Sequence, residues 1–111
     1  MSRTNQTTGY NSTDISDTTA RAIKSAPDAL QRYEIDQVTV VQKTASEAPT
    51  IELQDSDGTK LDAFQFSDMG TIVRSYDPPK VVTKGKGLQG KALSSVGDVV
   101  IYAQVRLVYE G

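Results

Sequence analysis

Asp98-Val99-Val100-Ile101-Tyr102-Ala103-Gln104-Val105-Arg106-Leu107-Val108-Tyr109-Glu110 is the stretch that decides the fold. Its odd positions, Val99, Ile101, Ala103, Val105, Leu107 and Tyr109, are all apolar, and its even positions include Gln104, Arg106 and Glu110. A period of two sends alternate side chains to opposite faces, so residues 98–110 read as a half-buried β-strand. At about 3.3 Å per residue such a strand spans roughly 40 Å, about twice the usual length. A strand that long is expected either to bend between two sheets or to overhang its own domain and pair with a neighbour.

The same period recurs upstream. Tyr33 and Ile35 point one way and Val38 and Val40 the other, which predicts a strand over 33–42 with a bulge near Asp36-Gln37. Ile51 and Leu53 alternate with Glu52 and Gln54, and the alternation resumes over 59–66. Asp55-Ser56-Asp57-Gly58 between these runs is a hairpin signal. Residues 71–76 form another short strand, which Asp77-Pro78-Pro79 should end because consecutive prolines cannot serve a central ladder. Val81-Val82-Thr83 suits an edge, ahead of a Gly- and Lys-rich loop over 84–91. Six or so short strands with frequent turn signals predict a mainly β protein, an antiparallel sandwich or barrel, with the jelly roll among its forms.

Residues 1–32 look different. Residues 1–19 are almost wholly Ser, Thr, Asn, Gln, Asp and Gly, with Tyr10 and Ile15 as the large apolar side chains after Met1. Such a segment buries too little surface to offset the entropy of ordering it, so it is expected as an extended polar arm that a neighbouring chain holds. Between 17 and 32 the pattern turns weakly helical: Asp17, Thr18 or Thr19 suits a cap, and Pro27 suits the first position of a second turn. The expected organisation is an arm with one or two short helical turns over 1–32, followed by a single β domain over 33–111.

The chain's 111 residues fit one domain, of which roughly 80 would remain to build a core. A domain that small hides only about 60% of the surface its unfolded chain exposes, which favours an oligomer. With no cysteine there is neither a disulfide framework nor a thiolate metal site, and with no histidine the usual general base and commonest zinc ligand are missing. Neither an apolar leader nor a run of 18 apolar residues is found, which reads as a product of the cytoplasm without a membrane span. The net charge of −2 conceals a split, since residues 33–79 carry nine acids against three bases and residues 80–111 carry five bases against two acids. Self-complementary association is one use of that dipole; attraction of phosphate by Lys80, Lys84, Lys86 and Lys91 is another.

Three stretches look like chemistry and have plainer explanations. Gly85-Lys86-Gly87-Leu88-Gln89-Gly90-Lys91-Ala92 matches a phosphate-binding loop in spacing, but Ala92 stands where a metal-binding hydroxyl belongs and Gly97 stops any following helix. Asp55-Ser56-Asp57-Gly58 is similar to a calcium loop, yet alignment on its glycine puts Leu53 and Phe64 at essential ligand positions. The carboxylates Glu34, Asp36, Glu52, Asp55, Asp57, Asp62 and Asp68 lie at positions that mostly face water in a β-rich chain. No catalytic residue, metal ligand or cofactor is assigned.

A Ser/Thr-rich polar arm ahead of a compact β domain free of histidine and cysteine resembles the small decoration or cement proteins and minor head proteins of tailed bacteriophages. The resemblance covers the whole chain in outline. It implies a non-enzymatic virion structural protein that clamps neighbouring capsid subunits, with the major capsid protein and copies of itself, in a trimer for example, as partners. In that role the arm (Tyr10, Ile15) and the terminal strand (Val105, Leu107, Tyr109) would bind adjacent chains by strand addition. The competing expectation is a nucleic-acid-associated or regulatory module that uses the basic 80–91 loop.

Overall fold

The computed structural model describes residues 3–5, 9–45, 47–94 and 96–110, and side-chain surroundings from residue 11 to 109 among these. Nine strands account for most of them: β1 (Arg3–Asn5), β2 (Gly9–Ile15), β3 (Arg21–Lys24), β4 (Gln31–Gln42), β5 (Thr50–Asp55), β6 (Lys60–Gln65), β7 (Gly70–Val81), β8 (Leu88–Ala92) and β9 (Val99–Glu110). One sheet has the order β1-β9-β4-β7, with β2 also pairing β9, and the other has the order β3-β8-β5-β6. β1 and β2 lie along the same edge of β9, against its residues 108–110 and 99–105 respectively, because β4 takes the other edge.

The ladders explain the architecture. β2 pairs β9, β3 pairs β8, β4 pairs β7 and β5 pairs β6, all antiparallel. Nested pairs of this kind describe one long two-stranded ribbon whose tip is the β5–β6 hairpin. Rolling the ribbon brings β4 against β9 and β5 against β8, which produces two stacked sheets. That is a jelly-roll sandwich. Ile35, Val38 and Val40 of β4, with Ile101 of β9, meet Leu53 and Phe64 of the other sheet in the core, all fully buried. β4, β7 and β9 have twelve residues each, and the longest molecular dimension is 51 Å.

Local signals in the sequence hold at the hairpin and the bulge. Gly58 N–H donates to Asp55 O (2.9 Å) and Asp55 N–H to Thr59 O (3.0 Å), which closes the β5–β6 turn. Both ladders of β4 shift register between Ile35 and Gln37, and against β9 Asp36 is the extra residue. Inward-facing Tyr33 and Ile35 thereby remain in phase with Val38 and Val40.

Four expectations need correction. No helix occurs among the described residues: residues 21–24 are a strand on β8, and the Pro27 segment makes a single turn in which Gln31 N–H donates to Asp28 O (2.9 Å). Segments too short to hold a helix alone yield to the ladder and to burial of Ile23. β7 does not stop at the prolines but continues to Val81, pairing Lys80 with Ile35 and Val81 with Glu34, while residues 76–79 bulge opposite Asp36. Among the described strands β7 pairs only β4, so Pro78 and Pro79 occupy an edge where no outer ladder needs their missing N–H groups. The 84–91 loop is shorter than expected, since β8 starts at Leu88. Finally, β9 neither bends between sheets nor overhangs: β4 covers one edge along residues 99–109, and β2 and β1 cover the other. An edge already paired on both sides is closed to further strand addition, so the terminal strand does not offer its backbone to a neighbour in this arrangement.

Two carboxylates tie distant strands together. Asp55, buried at the tip of the ribbon, accepts from the N–H groups of Asp57 (2.8 Å) and Thr59 (3.2 Å) and from Thr83 Oγ1 (2.7 Å). Asp62 on β6 accepts from Arg74 Nη1 (2.7 Å) and Tyr76 Oη (2.5 Å) of β7, bridging the two sheets where their edges meet, and the Arg74 guanidinium lies 4.6 Å from the Phe64 ring centroid. Burial pushes both carboxyls upward. Hydrogen bonds outweigh it, those from Thr83, Asp57 and Thr59 at Asp55 and those from Tyr76, Ala63 and Arg74 at Asp62, so both titrate below the usual carboxylate range. A depressed folded value contributes stability above the ordinary carboxylate pKa and withdraws it as pH falls through the folded value. Urea midpoints should therefore drop as the pH is lowered through and below the ordinary carboxylate value of about 4, and substituting Asn at both positions should flatten that limb.

Candidate protein interface

The side of the five-stranded sheet turned away from the core carries a graded surface whose rows follow from the ladders. Val100 of β9 stands beside Val41 of β4, which stands beside Thr71 of β7; in the next row come Tyr102, Thr39 and Val73. Val73 is 54% exposed and Tyr102 39%, so two large apolar side chains flanking Thr39 in one row face solvent. Further along, Gln37 donates from Nε2 to Ser75 Oγ (3.1 Å) beside Gln104. Past the bulge, Arg106 pairs with Asp36 and Arg32 with Glu34 (3.1 Å). An apolar and β-branched centre passing into a polar, charge-paired border has the anatomy of a protein-binding surface.

The opposite sheet presents a different outer face. There Gln89 Nε2 donates to Gln54 Oε1 (2.7 Å), Gln54 Nε2 donates to Glu52 Oε1 (2.9 Å), and Lys91 stands beside Glu52. Side-chain polar groups satisfy one another across β8 and β5, and no large apolar side chain interrupts these rows. Water suits that face as well as a partner would.

The structure scatters the four candidate lysines. Lys80 lies 5.2 Å from the Tyr76 ring centroid, Lys86 pairs with Asp57 (3.2 Å), Lys84 sits in the turn after β7, and Lys91 stands in β8 beside Glu52. The glycines between them serve packing and a turn. Gly85 has φ 77° in the turn closed by Lys86 N–H to Thr83 O (3.0 Å). A Cβ at Gly87 would lie 2.6 Å from Lys24 O, and one at Gly90 would lie 3.0 Å from Ile15 Cδ1. The resemblance to a phosphate loop thus arises from three separate steric requirements. Among the described residues no group of three or more acidic side chains is gathered as a metal site would need.

Of the arm and terminal-strand residues, Ile15 is fully buried in the chain's own core and Val105 is buried beside Ala103, whereas Leu107 leans on the core and Tyr109 is 38% exposed. Tyr10 pairs with Gln104 through the backbone, and its side chain lies outside the described residues, as do residues 1, 2 and 6–8 of the arm. Sequence reasoning missed the apolar rows of the outer face. Their signal is the doublets Val40-Val41 and Val99-Val100 and the even-numbered Tyr102, apolar residues on the side that strict alternation assigns to water.

Two sheets in this order define a jelly-roll sandwich. Solved structures share the fold. A chain of the acid-stable capsid of the Helicobacter pylori bacteriophage KHP30 aligns with TM-score 0.62 and 6% identity, covering 98% of this chain and 92% of that one. A chain of the Bacillus endospore appendages, described as disulfide-linked pili, aligns with TM-score 0.53 and 12% identity, covering 98% and 90%. No protein-family model matches the chain, and no curated protein matches it in sequence. Among the described residues no helix is long and apolar enough to cross a membrane.

Proposed function

We propose that this chain is a non-enzymatic structural protein of a virion, which holds neighbouring shell subunits through the outer face of its β2-β9-β4-β7 sheet. The observation that carries the reading is the exposed Val73 and Tyr102 pair flanking Thr39 beside Val41, set against an opposite face whose central β8 and β5 positions are polar. Likeness of fold to a chain of a phage capsid supports the same reading. The partners are other protein chains: copies of this subunit and the shell protein beneath it, in the manner of a decoration or cement protein. Ion pairs at the border suit that use, since Arg106–Asp36 and Arg32–Glu34 arrive already neutralised and leave orientation rather than net charge to set the fit.

Val73→Asp combined with Tyr102→Asp tests the proposal. Both side chains are exposed, so the thermal midpoint should move by no more than a few degrees, which corresponds to about 0.5 kcal/mol per surface substitution. Sedimentation velocity should show the double variant associating more weakly than the unaltered chain, and its incorporation into virions should fall. An unaltered chain that stays monomeric over the whole accessible concentration range, with virion incorporation unchanged by the double substitution, would overturn the assignment.

A further inference from the structure

The N-terminal strand is built to be exchanged. β2 belongs to the sheet through β9 alone, over the seven residues Gly9–Ile15. Removing it leaves the β9-β4-β7 ladders whole. Along β2 the side chains of Ser12 and Asp14 are exposed and those of Asn11 and Thr13 only half-buried, so among the described side chains of the strand Ile15 supplies the apolar anchorage. Its seat is preformed. Gly90 on β8 lacks the Cβ that would come within 3.0 Å of Ile15 Cδ1, and Ile101 of β9 borders the same space, so a knob on the strand meets a socket in the facing sheet.

A hinge follows the anchor. Residues 16–20 take part in no ladder, and Ser16, Asp17, Thr18 and Thr19 are exposed. The clasp across them is also at the surface: Thr19 N–H donates to Asp17 Oδ1 (3.0 Å) and Arg21 Nη2 to Asp17 Oδ2 (2.8 Å). A terminal strand with one apolar anchor, a generic backbone ladder and a polar exposed hinge makes the same contacts whether its β9 is its own or another copy's. The balance between the two is then set by hinge strain and by the local concentration of subunits.

We propose that in the assembled state strands β1 and β2 of one copy occupy the β9 edge of a second copy, with Ile15 seated at Gly90 of that copy. This rests on the reading of the chain as an assembly subunit and names the device that links its copies. Tyr10 and Ile15, which the sequence singled out as arm contacts, thus serve the fold within one chain and assembly between two.

The absence of cysteine makes the test clean. Tyr10 and Gln104 are Cα partners across the β2–β9 ladder, a pairing whose Cα separation in antiparallel sheets falls in the range a disulfide accepts. Tyr10→Cys and Gln104→Cys are prepared as separate full-length variants, mixed before assembly and oxidised afterwards. The expected result is a covalent dimer whose linked peptides, by mass spectrometry, join position 10 of one variant to position 104 of the other. The double variant should give covalent oligomers under the same conditions. A double variant that closes only within single chains, and single variants that fail to cross-link while the unaltered chain demonstrably associates, would overturn strand exchange and leave the assembly reading in place. Failure of the unaltered chain to associate at all would sink both.

Discussion

Phe64→Ala should cost about 3–5 kcal/mol of unfolding free energy, the largest single-substitution effect in the molecule. Phe64 is fully buried on β6, where it is the bulkiest completely enclosed side chain and sits in register with Ile51 of β5. Its removal leaves a cavity that two stacked sheets cannot close, because their separation is set by the remaining core residues on either side. The loss spreads further. The Arg74 guanidinium rests against the Phe64 ring while it holds Asp62, so emptying that space loosens the bridge that joins β6 to β7. Against a total of about 5–15 kcal/mol for a domain of ordinary stability, this variant should be partly unfolded at physiological temperature. Urea titration followed by far-ultraviolet circular dichroism reads the effect directly, and Phe64→Leu, which refills most of the volume, should recover much of it.

Asp55→Ala is expected to cost about 2–4 kcal/mol, by a different route. Asp55 is a buried carboxylate with three donors aimed at it: two N–H groups of its own hairpin and the hydroxyl of Thr83 from the segment after β7. Truncation leaves those donors facing a void, and unpaired buried donors cost more than the original hydrogen bonds contribute. Asp55→Asn keeps one acceptor oxygen and should fall between the two. The substitution should also make stability less sensitive to acid, since the Asp55 carboxyl, although burial pushes it up, is held below its ordinary range by hydrogen bonds from Thr83, Asp57 and Thr59 that the folded chain supplies. Unfolding curves at neutral and acid pH, compared for the Ala variant and the unaltered chain, test both statements. An Asp55→Ala protein with an unchanged midpoint would mean that water replaces the carboxylate at the tip of the ribbon.

Much of the fold was legible because its signals are local. The period of two in β9, the Asp-Gly turn between β5 and β6 and the phase slip at Asp36 each follow from a few consecutive residues, and all three stand in the structure. The helical turns expected around residues 20–31 failed for the complementary reason: weak local preference loses to a ladder partner that the sequence does not name, here β8 for residues 21–24. Prolines 78 and 79 misled in the same way, since whether a proline interrupts a strand depends on whether that strand lies at an edge. Of the residues expected to contact other chains, Ile15 and Val105 are buried within this one. That their partners lie within the same chain is a matter of long-range pairing. The exposed rows around Val73 and Tyr102 left only a faint trace, as apolar residues where alternation calls for polar ones.

By itself the sequence determined that the chain is β-rich, where the β5–β6 hairpin turns, which side of β5 and β9 is buried, and that neither cysteine nor histidine is present for chemistry. Only the tertiary structure decided which strands meet. It nested them into a jelly roll, closed both edges of β9, seated Ile15 at Gly90 and gathered Val41, Val73 and Tyr102 from three strands on one face. The physical reason is that alternation fixes which way a side chain points relative to its own strand, whereas a surface or a socket is composed of several strands whose order is set by the energy of packing the whole ribbon.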